Sequence, residues 1–478
     1  MTHSPLRLAI VGGNRGGSFK RTLAGLEGLI RLAAICDIRE EVLRQWKADF
    51  PQIETYDDYT RMLDDPEIDA VFIASPMLLH SRQAIAALRA GKHVLSEVIA
   101  AHTLEDAWEL VETVEQTGLV YMMAENYCFE RNNLAIKYMV EQGMFGELTY
   151  LEGGYIHDLR HTLHNGSGAL TWRGELHKGY DGMNYPTHSI GPIAQWLGLN
   201  GEGGDRLESM STFVSNPRAA RGYFLERFGS AHPAAQEGYW KQGDTAVTNI
   251  VTRKGVLITL RVDWTSARPH NMRQYALQGT AGAFQSKRHD REEDLIWLKE
   301  RSAGGKGAGD VPNGAPDSVR NGRLNGVPDG TLNGAPDGVG NGAPDGKLNG
   351  TPDGVQNGAR NGVRNGVRNS PPDGVPNSVP GGAPNVVPEY RWEPFSRYQP
   401  EWDHPLWKRW ERQAQSSGHG GGDFLVLEEF ASAIHERRKP LIDVYDAAVW
   451  SSIFPLSMES RAKNGQPVAF PNFRKYKS

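Results

Sequence analysis

Leu6-Arg7-Leu8-Ala9-Ile10-Val11-Gly12-Gly13-Asn14-Arg15-Gly16-Gly17 is an apolar run of strand length that breaks into a glycine-rich turn. Further short apolar runs follow at Ile30–Cys36, Ala70–Ala74, His93–Ser96 and Leu119–Ala124. Amphipathic stretches lie between them, at Glu40–Asp49, Ser81–Ala90 and Leu104–Thr117. Strands separated by helical patterns of about 10–15 residues mean βαβ units and a parallel sheet. Residues 1–145 therefore read as an α/β domain, a doubly wound Rossmann sheet.

Beyond Gly146 the texture changes. Leu148–Ile156, Leu207–Val214, Thr245–Val251, Val256–Trp264, Gln274–Gly279 and Leu295–Leu298 read as strands without crossover helices, with Arg253-Lys254-Gly255 as one hairpin turn. That pattern predicts a C-terminal α+β domain with a large, mainly antiparallel sheet, over 146–301 and 389–478. Helices are expected at His188–Leu197, Asp423–Arg437 and Tyr445–Ser460. The intervening stretch 302–388 repeats Asn-Gly and Pro-Asp-Gly, as in Asn333-Gly334-Ala335-Pro336-Asp337-Gly338. It has almost no large apolar residues to offset its ordering entropy, and reads as a disordered insertion into the second domain.

Composition narrows the function. The 478 residues carry a net charge of -5, which gives no electrostatic case for nucleic acid or an acidic membrane as partner. Cys36 and Cys128 are the only cysteines and suggest neither a disulfide framework nor a zinc site. No metal is called. No stretch approaches the roughly 20 apolar residues of a membrane span, and Leu8–Val11 is too short for a signal-peptide core. A cytoplasmic protein is expected, and because one face of the second sheet must be covered, either by helices or by a second copy, a homo-oligomer is plausible.

The glycine turn is placed where a dinucleotide's pyrophosphate meets backbone amides. Against the pattern G-x-G-x-x-G, Gly12 and Gly17 fit and Asn14 holds the middle place, with Arg15 beside it. Asp37 ends the second strand about 20 residues beyond the turn, where a carboxylate accepts ribose hydroxyls and repels a 2′-phosphate. NAD is therefore favoured over NADP, although Arg39 lies close. Pro76 and His80, in the loop after Ala70–Ala74, are a third element; His80 is either a cofactor contact or a helix-start residue.

The chain resembles the Gfo/Idh/MocA oxidoreductases in this turn, in Asp37, in the Pro76–His80 loop and in Gly91-Lys92-His93-Val94 with Glu97. Within them it is most similar to glycoside hydrolase family 109, whose characterised activity is α-N-acetylgalactosaminidase. The strings that carry this closer likeness are Glu125-Asn126-Tyr127, Tyr155-Ile156-His157-Asp158-Leu159-Arg160, Trp172-Arg173, Tyr185-Pro186-Thr187-His188, Thr265-Ser266-Ala267-Arg268-Pro269, Gly418-His419-Gly420-Gly421 and Asp443-Val444-Tyr445-Asp446-Ala447-Ala448. Dehydrogenases of the wider family end the fifth strand in Glu-Lys-Pro; here Val98 stands in the lysine's place and Ile99 in the proline's. The chain also departs from family 109. His270 replaces a tyrosine at the substrate, Gly422 follows where methionine is usual, and the secretion signal common among members is absent.

The resemblance implies an NAD-dependent glycosidase acting on N-acetylgalactosaminides or related hexosides. Sugar C3 is oxidised transiently, C2 loses its proton, the aglycone leaves C1 by elimination, water adds, and C3 is reduced again. The cofactor is then a bound catalyst with no net redox change. No pair of carboxylates of the ordinary glycosidase kind stands out. The expected catalytic residues are Tyr185, His188, Tyr155 and His419. Glu125, Arg173, Tyr185, His188 and His270 are the expected substrate contacts. Gly12, Asn14, Arg15, Gly17, Asp37, Pro76, His80, Glu97 and Asn126 are expected to hold the cofactor. Asp158 and Arg160 read as a structural ion pair. The alternative is an NAD-dependent sugar or inositol dehydrogenase that lacks the usual lysine.

Overall fold

The computed structural model of the chain describes residues 4–201, 203–269, 273–299 and 390–474. Six parallel strands form the first sheet: β1 (Leu6–Val11), β2 (Ile30–Cys36), β3 (Glu54–Tyr56), β4 (Ala70–Ile73), β5 (His93–Ser96) and β6 (Tyr121–Met123). Their order is β3-β2-β1-β4-β5-β6, the doubly wound arrangement in which a crevice opens at the carboxyl ends of β1 and β4. Ala70–Ile73 is buried throughout, as expected of strands covered on both faces. The helices Glu40–Asp49, His80–Arg89 and Leu104–Thr117 cover it. Thr103 caps the last of these by accepting from the Asp106 N–H, and Gly118 closes it in the left-handed region.

The turn after β1 is tighter than the motif suggests, and its packing glycines are not the predicted pair. Gly12 has φ +91°, and a Cβ there lies 2.5 Å from the Ala74 carbonyl oxygen. A Cβ on Gly13 meets Val42 at 2.5 Å, and one on Gly16 meets Ile10 at 2.5 Å. Gly17, the residue matched to the third motif glycine, has open space around it. Close helix–strand contact is thus made one residue earlier, at Gly16. Gly12→Ala is expected to destabilise the fold by about 3 kcal/mol or more, because backbone strain and a backbone clash add. Gly17→Ala is expected to stay within about 1 kcal/mol, as for an unstrained surface change. Urea unfolding of the two variants checks both.

The second sheet has nine strands: β7 (Leu148–Ile156), β8 (Leu207–Val214), β9 (Thr245–Thr252), β10 (Leu257–Asp263), β11 (Arg273–Gly279), β12 (Gly282–Gln285), β13 (Leu295–Leu298), β14 (Glu393–Pro394) and β15 (Val468–Ala469). Their order is β14-β13-β12-β11-β7-β10-β9-β8-β15. Every neighbouring pair is antiparallel except β7 and β10, which run parallel with Tyr155 opposite Val262. Gly255, with φ +85°, makes the tight β9–β10 turn. The helix Val444–Ala462 packs on both β8 and the helix Leu104–Thr117, so the two sheets share one apolar core. The expectation for 302–388 lies outside the described residues. No described helix is long and apolar enough to cross a membrane.

Candidate active site

His188 sits in the first turn of the helix Thr187–Leu197, after Tyr185-Pro186 turns the chain inward. Tyr185 has φ +64°, a conformation uncommon for a non-glycine residue, which aims its phenol at the same side as the imidazole. The His188 Nδ1 lies 2.7 Å from Glu125 Oε1. That oxygen also accepts from the Tyr127 N–H at 3.3 Å; with the same oxygen accepting from Nδ1–H, a neutral ring keeps its lone pair on Nε2. Tyr127 stacks on the imidazole with centroids 4.3 Å apart, and Tyr155 lies 4.8 Å away at a tilt. Ring orientation is therefore fixed by a carboxyl on one side and aromatic faces on the others.

These groups border a cavity of about 170 Å³ that the two halves of the chain build together. The nucleotide half contributes Arg15, Glu97, Asn126 and Tyr127; the second half contributes Tyr155, His157, Leu159, Arg173, Tyr185, His188, Trp264 and His419. Arg15 Nε donates to Glu97 Oε1 at 2.7 Å, which engages the one carboxylate in the lining. Burial pushes the Tyr185 phenol up to about 12, and Glu97 adds to the shift while Arg173 and Arg15 oppose it. It is a neutral hydroxyl near pH 7. Burial likewise raises the Tyr155 phenol well above its ordinary range. Arg173 spreads its guanidinium over the Trp172 ring, 4.3 Å from the centroid.

His419 enters from a loop in which it, Gly420 and Gly421 all have positive φ. Its Nδ1 lies 2.9 Å from Asp423 Oδ2, and Asp423 Oδ1 accepts from Asn126 Nδ2 at 2.9 Å. The hydrogen bond to Asp423 raises the His419 pKa above its ordinary value, against the opposing effect of burial. Gly422 lies so near Asn126 that a Cβ would stand 2.4 Å from the Asn126 carbonyl oxygen. No side chain fits there in this chain, which accounts for glycine where methionine is usual.

Several expected residues take other places. Glu125, expected at the substrate, is fully buried behind His188, is hydrogen-bonded to it and is not among the residues that border the cavity. His80 is 1% exposed with its ring nitrogens 2.9 Å and 2.8 Å from the carbonyl oxygens of Ile99 and Ser75. It pins the loop after β4 to the end of β5 and offers no free edge to a ligand. Pro76 and Asn14 are exposed beside the first sheet's carboxyl edge. Val98 is buried, 1% exposed. His270 lies outside the described residues. Asp158 and Arg160 do pair, at 2.8 Å through two parallel bonds. The sequence reading missed His157, Trp264 and Asp423. Asp423 lies in the first turn of the helix Gly422–His435 while His419 lies in the positive-φ loop before it, so no helical periodicity relates the two in the sequence.

A dinucleotide fits this framework. Asp37 Oδ2 accepts from the Gly13 N–H at 2.8 Å beside the glycine turn. Asn126, 5% exposed at the cavity, leaves its Oδ1 without a donor among the described residues, an acceptor that suits a bound amide or hydroxyl. Among the described residues no group of three His, Cys, Asp or Glu side chains is placed to hold a metal ion.

Comparison with known proteins agrees with this construction. The model of an oxidoreductase family with an NAD-binding Rossmann fold, Gfo/Idh/MocA, matches residues 6–125. The model of the glycosyl hydrolase 109 C-terminal domain matches 129–306 and 384–478. A glycosyl hydrolase family 109 protein of Stenotrophomonas maltophilia is 30% identical over 498 residues, covering 98% of this chain and 89% of the relative. An alpha-N-acetylgalactosaminidase of Tannerella forsythia is 27% identical, covering 98% of this chain and 86% of that one. In fold, the chain is similar to levoglucosan dehydrogenase solved in complex with NADH and L-sorbose, with TM-score 0.65 and 17% identity over 98% of this chain and 100% of the other. The C-terminal family model, which matches more than half of the chain, and the 30% identity to a relative covered to 89% make the chain a member of glycosyl hydrolase family 109.

Proposed function

We propose that the chain hydrolyses N-acetylgalactosaminides or related hexosides by transient oxidation at sugar C3 followed by elimination across C2 and C1. The observation that carries this reading is the cavity lining itself. It holds one carboxylate, and Arg15 takes it. Direct hydrolysis ordinarily uses two carboxyl groups flanking the glycosidic bond. An imidazole with a free Nε2 beside a nucleotide-binding half suits a different chemistry.

NAD, when bound, supplies a reversible acceptor for the C3 hydride. Gly12, Gly13, Arg15, Asp37, Glu97 and Asn126 are the residues that would hold it, with Asn14, Gly17 and Pro76 at the edge. Arg173 and Tyr155 grip sugar hydroxyls or the acetamido carbonyl through directional bonds. As the hydride leaves C3, the C3 hydroxyl proton passes to His188 Nε2 and from there to solvent, and Tyr185, held neutral, donates to the ketone oxygen that results. His188 Nε2 takes the C2 proton once the neighbouring carbon is a ketone, and the new imidazolium is balanced by Glu125. His419, whose proton Asp423 helps to retain, donates to the departing aglycone oxygen. The same two histidines act in reverse when water adds.

Nitrophenyl α- and β-hexosides, turned over in D₂O by enzyme loaded with NAD, test the scheme. Nitrophenol release with deuterium entering C2, and no net NADH, is the expected result. NADH accumulating from free sugars or inositols without nitrophenol would leave the dehydrogenase alternative instead.

A further inference from the structure

Asp37-Ile38-Arg39 follows β2 and forms an exposed edge beside the glycine turn. Asp37 is buried and anchored: Oδ2 accepts from the Gly13 N–H at 2.8 Å and Oδ1 from the Arg39 N–H at 3.0 Å. The Arg39 side chain folds back over the same carboxylate, with Nε 3.2 Å from Oδ1 and Nη2 3.3 Å from Oδ2. Those distances are long for charge-assisted bonds, and the Arg39 side chain is 41% exposed. Such a pair is weak and easily rearranged. Glu40, the next carboxylate along, pairs with Arg44 at 3.5 Å and makes no claim on Arg39. Ile38, 90% exposed, offers an apolar face to a base at the same edge.

A carboxylate here excludes a 2′-phosphate only while its charge stands uncompensated. In this chain it is compensated, by a cation with spare donors and water on one side. We infer that Arg39 is the specificity-determining residue at the adenosine end of the cofactor site, and that it lets this chain take NADP as well as NAD. A 2′-hydroxyl finds Asp37 as acceptor. A 2′-phosphate finds the Arg39 guanidinium, while the Gly13 N–H keeps Asp37 in place.

This inference stands on the nucleotide-binding fold and is independent of the glycosidase scheme. Calorimetric titration of nucleotide-free, full-length protein with NAD⁺ and with NADP⁺ tests it. The wild-type dissociation constants are expected to lie within about tenfold of one another. Arg39→Ala is expected to weaken NADP⁺ binding by about ten- to a hundredfold and to move NAD⁺ binding by less than about threefold, the size of one charge-assisted phosphate contact. Arg39→Lys keeps the charge and should recover part of the loss. Retained NAD⁺ binding in each variant reports that it is folded. Wild-type protein that binds NAD⁺ without measurable NADP⁺ binding overturns the inference, as does an Arg39→Ala variant whose two affinities fall together.

Discussion

His188→Ala is expected to lower kcat for a nitrophenyl hexoside by about 10³-fold with little change in KM, the size of effect typical of a positioned proton-transfer group. KM is spared because Arg173 and Tyr155, which would grip the sugar, stay in place on other elements. Stability should fall too. Glu125 is fully buried, its Oε2 already lacks a partner among the described residues, and losing His188 strips Oε1 of its principal one. An unsatisfied buried acceptor of this kind costs about 1–3 kcal/mol. Glu125→Gln separates the two effects. It leaves Nε2 in the cavity but weakens the bond that fixes the tautomer, so a loss of about 10–100-fold in kcat is expected, as for other groups that orient a base. In the double variant, stability should partly recover because the stranded carboxyl is gone, whereas activity should not fall much below that of His188→Ala alone. Kinetics and urea unfolding of the four proteins measure the cycle. A His188→Ala enzyme with near-normal kcat removes His188 from the chemistry.

The Glu125–His188 pair also marks how far the sequence could be read. Its members are 63 residues apart, and no periodicity or spacing relates them. Only the sheets do so: the end of β6 and the helix after β7 meet because both sheets pack on one core. The six-stranded sheet was legible because parallel strands buried on both faces leave short apolar runs in the sequence. The strand that escaped, β3, has three residues with none buried, so it carries no apolar signal. The parallel pairing of β7 with β10 escaped for another reason. It joins residues about a hundred apart, and local turns announce only hairpins. In the glycine turn, the motif located the element but not its contacts; whether Gly16 or Gly17 packs depends on where Ile10 lies beneath the helix. His80 shows the converse. A histidine at a binding-site loop reads as a ligand contact, yet both its nitrogens are committed to backbone carbonyls.

Asp423→Asn is expected to shift the alkaline limb of the pH–rate profile to lower pH, with a loss in kcat at pH 8 of about 10²-fold, within the usual range for impaired general-acid catalysis. Asp423 is 1% exposed and raises the His419 pKa above its ordinary value, chiefly through the hydrogen bond to Nδ1. A group with a raised pKa keeps its proton to higher pH than a free imidazole does, so more of the donor form persists there. As pH rises through that raised value the proton is lost, and so is the donor to the aglycone oxygen. Asparagine removes the charge that holds the proton, and the limb must move down. Tyr185, pushed up to about 12, stays neutral across this range and does not produce the limb. The same linkage appears in stability. The folded-state pKa of His419 is above its unfolded value and that of Asp423 is below its own. The His419–Asp423 interaction thus stabilises the fold fully between about pH 4 and 6.5, and that contribution fades as pH climbs through the folded value of His419 or falls through that of Asp423. Melting temperatures of wild type and Asp423→Asn should therefore differ most within that window and converge as the solution becomes alkaline. His419→Gln should show the same convergence in stability but have no alkaline limb of its own. Substrates with a good leaving group, such as dinitrophenol, need no proton and should restore much of the rate to both variants. A rate that stays low with such a leaving group would place His419 at the sugar rather than at the aglycone.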